Sequence, residues 1–264
     1  MRRRLIPTAT LAGMLLLSAC PPPTSAVRPG RQTIVAVDLS GSQTSGQLAS
    51  SRAFADAAVE DLSYGDDFVI MEMSRQGVGA DLKRYEVSIP KLKDSTFVPS
   101  NAKTDLDGRK DGLRSILPVI FNPALAGKIP NTDVLATVFA AAEYVRRADG
   151  RPTTLVLLSD MLQSDGKINF QNGRGIPGPD WIETQQRMGT IPSLKGVCVV
   201  VVGADASTAG GVAVKRFWQQ YFTAAGATLP DSSFRLLAAG STDLGCSRGA
   251  VSTADSTSPH GNGA

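Results

Sequence analysis

Histidine is almost missing from this 264-residue chain, whose single copy is His260, close to the end. A Ser-His-Asp relay needs an imidazole beside its nucleophile inside the fold, so that kind of hydrolysis is excluded. Cysteine is scarce as well: Cys20, Cys198 and Cys246 form no C-x-x-C pair, which removes zinc-ribbon and thioredoxin-type sites. No P-loop is present, and no dinucleotide fingerprint directly follows a strand. The longest strongly apolar stretch near the start, Leu11–Leu17, is too short to span a bilayer comfortably. The 42% hydrophobic and 19% charged content is that of a globular chain, long enough for one large α/β domain or two small ones.

The first twenty residues, MRRRLIPTATLAGMLLLSAC, have the basic start, apolar centre and small-residue end of a secretory signal. Leu17-Ser18-Ala19-Cys20 resembles the lipobox of bacterial lipoproteins, which implies acylation of Cys20 and a mature protein held on the outer side of a membrane. More than one acyl chain anchors firmly where a single chain does not. The net charge of +3 belongs to this segment: without Arg2, Arg3 and Arg4, the 27 basic residues become 24, equal to the 24 acidic ones. The clustered basic excess of a nucleic-acid binder is therefore not expected. Outside the cytoplasm Cys198 and Cys246 have conditions in which a disulfide persists; a bridge between them and two separate thiols both fit the sequence.

Four segments follow: a signal over 1–19, a Pro- and Ser-rich tether over 20–32, a folded domain over 33–247, and a Ser/Thr/Gly/Asn-rich disordered tail over 248–264. Within the domain, strands are expected at 33–37, 68–73, 83–88, 154–158, 197–202 and 233–237. The run 83–88 alternates polar and apolar residues, as an edge strand does, whereas 154–158 and 197–202 are nearly continuous apolar runs, as in parallel strands covered on both faces. Helical spacing recurs over 48–62, 113–120, 133–147 and 215–225. Asp105, Asp107 and Asp111 lack EF-hand spacing and read as a solvated helix start. Phe217, Trp218, Tyr221 and Phe222 share one helix side and read as core. Alternating strands and helices give an α/β fold, a doubly wound, mostly parallel sheet with helices on both faces and one antiparallel edge strand.

Ligands of such sheets bind beyond the carboxyl ends of the strands. Three places there carry oxygen donors: Asp38, Ser40 and Ser42 after the first strand; Thr132 and Asp133 before the long helix; Ser159 and Asp160 after the fourth strand. Carboxylates and hydroxyls without His or Cys suit Mg²⁺, Mn²⁺ or Ca²⁺. With few carboxylates among them, a bound dication keeps positive charge and favours an outside anion as a further ligand. Each residue also has a plainer reading: Ser42 or Thr44 as the cap of the first helix, Thr132 as the cap of the long helix, Asp160 as a turn former.

D-x-S-x-S after the first strand, a threonine at the mouth of a later helix and an aspartate after the fourth strand resemble the metal-ion-dependent adhesion site of von Willebrand factor type A domains. The matching residues are Asp38, Ser40, Ser42, Thr132 and Asp160. The resemblance implies direct ligation by the serines, direct or water-mediated ligation by the threonine, and aspartates that act mainly through water. It implies a divalent cation, Mg²⁺ first, and a protein partner with an exposed Asp or Glu. It points to no enzyme. Two alternatives remain: the same fold as a metal-independent assembly module of the cell envelope, or a metal-dependent phosphoester hydrolase. The hydrolase is weakened by Ser40 standing where aspartate-nucleophile phosphatases carry a second aspartate. The Gln163–Pro179 loop, rich in Gly, Asn and Gln, is expected either to line a partner surface or to be a simple connection.

Overall fold

The computed structural model describes residues 29–73, 83–93, 98–122, 131–165, 167–171 and 175–237. The signal, Cys20, Cys246 and the tail lie outside the described residues. Six strands form one sheet: β1 (Gln32–Val37), β2 (Asp67–Glu72), β3 (Arg84–Ser88), β4 (Thr153–Leu158), β5 (Cys198–Val202) and β6 (Phe234–Arg235). Their order is β3-β2-β1-β4-β5-β6. All neighbours run parallel except β2 and β3, so the alternating run over 83–88 is the antiparallel edge. Strand order reverses between β1 and β4, which places the crevice of a doubly wound sheet at their carboxyl ends.

The pleat sends alternate residues of the central strands to opposite faces. Ile34, Ala36, Leu155, Leu157, Val199 and Val201 pack in one core, with α3 (Val134–Arg147), α4 (Pro179–Arg187) and α5 (Ala209–Ala224). Val35, Val37, Val156, Leu158, Val200 and Val202 pack in the other, with α1 (Ser45–Glu60) and α2 (Ser100–Ile120). Both faces are covered, and this is why β4 and β5 read as unbroken apolar runs. The aromatic group on α5 is indeed core: Trp218, Tyr221 and Phe222 are buried, and Phe170 meets Phe217 edge-on at 4.9 Å.

Two helices depart from the sequence expectation. The first turns of α2, from Ser100 to Asp111, bury no side chain, and burial begins at Leu113. Helix α2 thus begins well before the expected 113–120, while Asp105–Asp111 is the solvated helix start the sequence suggests, with ion pairs such as Asp105–Arg109 and Asp111–Arg114 along it. The short helix α4 buries Ile182 alone, too weak a periodic signal to read from sequence.

At the amino ends of the strands, Arg31 pairs with Asp61, and its backbone N–H donates to the fully buried Asp66 Oδ1 at 3.0 Å. Cys198, the first residue of β5, is disulfide-bonded. The other two cysteines are Cys20 and Cys246; acylation of Cys20, as its lipobox-like surroundings imply, would leave Cys246 as the partner. Peptide mapping without reduction is expected to recover Cys198 linked to Cys246, and Cys198→Ser to lower stability by about 2–4 kcal/mol in chemical denaturation.

Candidate metal site

β1 ends by placing Asp38 below the surface, 2% exposed, with its backbone N–H donating to Leu158 O of β4 at 2.9 Å. The carboxylate is held on both oxygens. Oδ1 accepts from the Ser40 backbone N–H at 2.8 Å and from Thr132 Oγ1 at 3.0 Å; Oδ2 accepts from Ser159 Oγ at 2.7 Å. Ser40 Oγ and Ser42 Oγ lie 2.8 Å apart. The Ser42 hydroxyl in turn hydrogen-bonds Asp160, whose Oδ1 accepts from the Leu162 backbone N–H at 3.0 Å. The three residues of D-x-S-x-S, with Thr132 and Asp160, thus gather in one cluster at the β1–β4 switch point.

The helix-cap alternatives resolve residue by residue. Thr44, not Ser42, caps α1: its hydroxyl accepts from Gln47 N–H, and the Gln47 side chain accepts from Thr44 N–H, a reciprocal capping box. Asp133, not Thr132, caps α3, accepting from Ala136 N–H at 2.9 Å. Gln163, fully buried, extends this cap by donating to Asp133 Oδ1 and accepting from Leu135 N–H. Ser42 and Thr132 are thereby left to face the cluster. Gln163 and Phe170 also anchor the Gln163–Pro179 loop at two buried points.

Ser159 is among the oxygen donors at the strand ends but outside the five matching residues, and the structure brings it to the cluster. It is fully buried, and its hydroxyl donates to Asp38 while accepting from Met161 N–H at 2.9 Å. Its signal was a hydroxyl at the end of an apolar strand, one position before the candidate aspartate. Gly203, at the end of β5, lies directly against it: a Cβ there would stand 3.0 Å from Ser159 O, and its φ of +115° suits glycine alone.

Burial raises the Asp160 pKa from 3.8 to about 6, helped by the nearby charge of Asp38 and opposed by the hydrogen bonds from Ser42 and Leu162. The donor set fits a hard dication. Two serine oxygens 2.8 Å apart match neighbouring vertices of an octahedron with Mg–O distances near 2.1 Å, which lie about 3 Å apart. Among the described residues, no three His, Cys, Asp or Glu side chains gather as a metal cluster; this cluster is built of two carboxylates and neutral hydroxyls.

No family model and no curated protein sequence matches the chain. Among solved structures, an aerotolerance-related membrane protein from Bacteroides fragilis is 14% identical with a TM-score of 0.39, over 77% of this chain and 93% of that one. The ArnB paralog VWA2 from Sulfolobus acidocaldarius is 12% identical with a TM-score of 0.38, over 77% of this chain and 42% of its own. A von Willebrand factor type A protein from Catenulispora acidiphila is 10% identical with a TM-score of 0.39, over 75% and 43%. The chain therefore spans less than half the length of the last two.

An acid whose pKa is raised by folding is ionised more easily in the unfolded chain. Its protonated form favours the fold below pH 4, and that stabilisation is lost as pH rises through about 6. In chelator, Asp160→Asn is expected to melt higher than the wild type at pH 7.5, by the equivalent of about 1–3 kcal/mol. The difference should vanish near pH 4; thermal melts across that range check it.

Proposed function

We propose that this chain is a membrane-anchored, extracytoplasmic protein-binding module of the von Willebrand type A kind. Asp38, Ser40, Ser42, Thr132 and Asp160 would hold a divalent cation, Mg²⁺ in preference to Mn²⁺ or Ca²⁺, and through it engage an Asp or Glu of a partner protein. The observation that carries this reading is the cluster itself: five oxygen-bearing side chains from three separate segments meet at the sheet's switch point.

The charge balance favours an acidic partner. Two carboxylates and three hydroxyls neutralise a dication only on paper, because Asp38 already accepts three hydrogen bonds from the protein. Residual positive charge at an exposed point attracts an anion, and Ser42 is the exposed member of the cluster. When bound, the cation would supply a Lewis-acidic docking point. The protein's part is to hold hydroxyls and carboxylates in place before the ion arrives, which lowers the ordering cost of binding.

The membrane location rests on the lipobox-like residues Leu17–Cys20. No helix among the described residues is long and apolar enough to cross a membrane. Mass spectrometry of the native protein is expected to find an acylated Cys20 at the mature N-terminus; an unmodified N-terminus elsewhere would remove the anchor from the proposal.

A metal-independent assembly module is the second reading, favoured by one observation: Ser40, Ser42, Thr132 and Ser159 all have protein partners without an ion. A melt separates the two. Binding to the folded state alone stabilises by about 2.7 kcal/mol at a hundredfold excess over Kd. Millimolar Mg²⁺ or Mn²⁺ is therefore expected to raise the Tm by several degrees, and the double variant Ser40→Ala, Ser42→Ala to remain folded without that rise. A wild type indifferent to every divalent ion would leave the metal-independent module standing.

A further inference from the structure

Met161 follows Asp160 directly and has φ +63°, in the left-handed region that bulky side chains rarely occupy. Such a conformation is strained and persists only where surrounding contacts impose it. Three contacts do so here. The Met161 N–H donates to Ser159 Oγ at 2.9 Å, its side chain is fully buried in the core shared with α5, and its carbonyl accepts from Trp218 Nε1 at 2.9 Å.

The last contact ties the site loop to a rigid body. The Trp218 ring is fully buried, with ring centroids of Phe217 at 5.2 Å, Tyr221 at 5.6 Å, Phe222 at 5.7 Å and Phe170 at 5.9 Å. An indole so enclosed has no freedom to turn its N–H elsewhere. Fixing the Met161 carbonyl fixes the plane of the next peptide, and with it the Leu162 N–H that donates to Asp160 Oδ1. On the other side, Met161 N–H holds the same Ser159 hydroxyl that donates to Asp38. Both carboxylates of the cluster are thus connected to Trp218 through Met161.

We propose that Trp218 is a positioning residue for the cation site: by holding Met161 in its left-handed conformation, its indole N–H sets where the Asp160 carboxylate stands relative to Asp38 and Ser42. The inference rests on the cation-binding reading given above. It assigns cation affinity in part to a side chain that offers no ligand, since indole N–H only donates, and it makes α5 responsive to what happens at the site.

Calorimetric titration of the full chain with Mg²⁺ tests this. Trp218→Phe keeps an aromatic ring in the core but removes the donor, and is expected to weaken binding about tenfold, the scale at which outer partners of metal ligands act. Trp181→Phe, on α4, is expected to bind as the wild type does and to leave Trp218 as the one fluorophore of its kind in the chain, which has two tryptophans. Its emission should then shift with Mg²⁺ at the calorimetric midpoint, a response that a merely structural tryptophan would not give. Equal affinity in Trp218→Phe and wild type, or a Trp181→Phe emission unchanged through saturation, would overturn the positioning role while leaving the cation site intact. If Trp218→Phe does not fold, the emission titration decides alone. A wild type that binds no dication overturns the cation site and this inference together.

Discussion

A carboxylate placed below the surface at the end of a central strand costs several kcal/mol unless its lone pairs are used. Asp38 meets that condition with donors from three parts of the chain: the Ser40 amide just beyond β1, the Thr132 hydroxyl before α3 and the Ser159 hydroxyl at the end of β4. The dependence runs both ways. Without the carboxylate these three donors lose their shared acceptor, and without any one of them the charge is less well compensated. The loops at the switch point are therefore held in mutual register by one side chain.

Around that joint, the structure separates the tasks that neighbouring polar residues would otherwise share. Thr44 and Asp133 satisfy the first turns of α1 and α3, leaving the adjacent Ser42 and Thr132 for the cluster. Asp160 keeps a raised pKa, chiefly from burial and secondarily from the nearby charge of Asp38. A second carboxylate that folding disfavours as an anion is a group that a cation at the same place would stabilise.

Much of this arrangement was legible in the residues. Parallel strands covered on both faces leave continuous apolar runs, so β4 and β5 and the polar residues after them could be located. The oxygen donors at 38–42, 132–133 and 159–160 stood out because ligands bind at strand ends, and the resemblance to the type A adhesion site picked five residues among them. The choice between Thr132 and Asp133 as cap was not legible, since two adjacent residues can each cap a helix and only tertiary contacts decide which one turns inward. Polar surface helix also escapes periodicity: Ser100–Asp111 buries nothing, and its helicity comes from extension of a packed segment and local ion pairs. Met161 was hidden for a different reason. Nothing about a methionine in the sequence announces a left-handed backbone; the contacts that surround it are tertiary, among them the indole of Trp218, 57 residues away in sequence.

Arg31 and Asp38 lie at opposite ends of the same strand, one in the ion pairs at the amino end of the sheet and the other in the cluster at its carboxyl end. Between them β1 is flanked on both sides, paired in register with β2 from Gln32 to Val37 and with β4 over the same residues. Tension applied ahead of Arg31 and resisted by the rest of the sheet would enter along this strand. Parallel neighbours on either side take such a pull in shear, many hydrogen bonds sharing the load together, where peeling would break them in turn. A pull entering ahead of β1 would thus meet the hydrogen bonds of both ladders at once, from Gln32 to Val37.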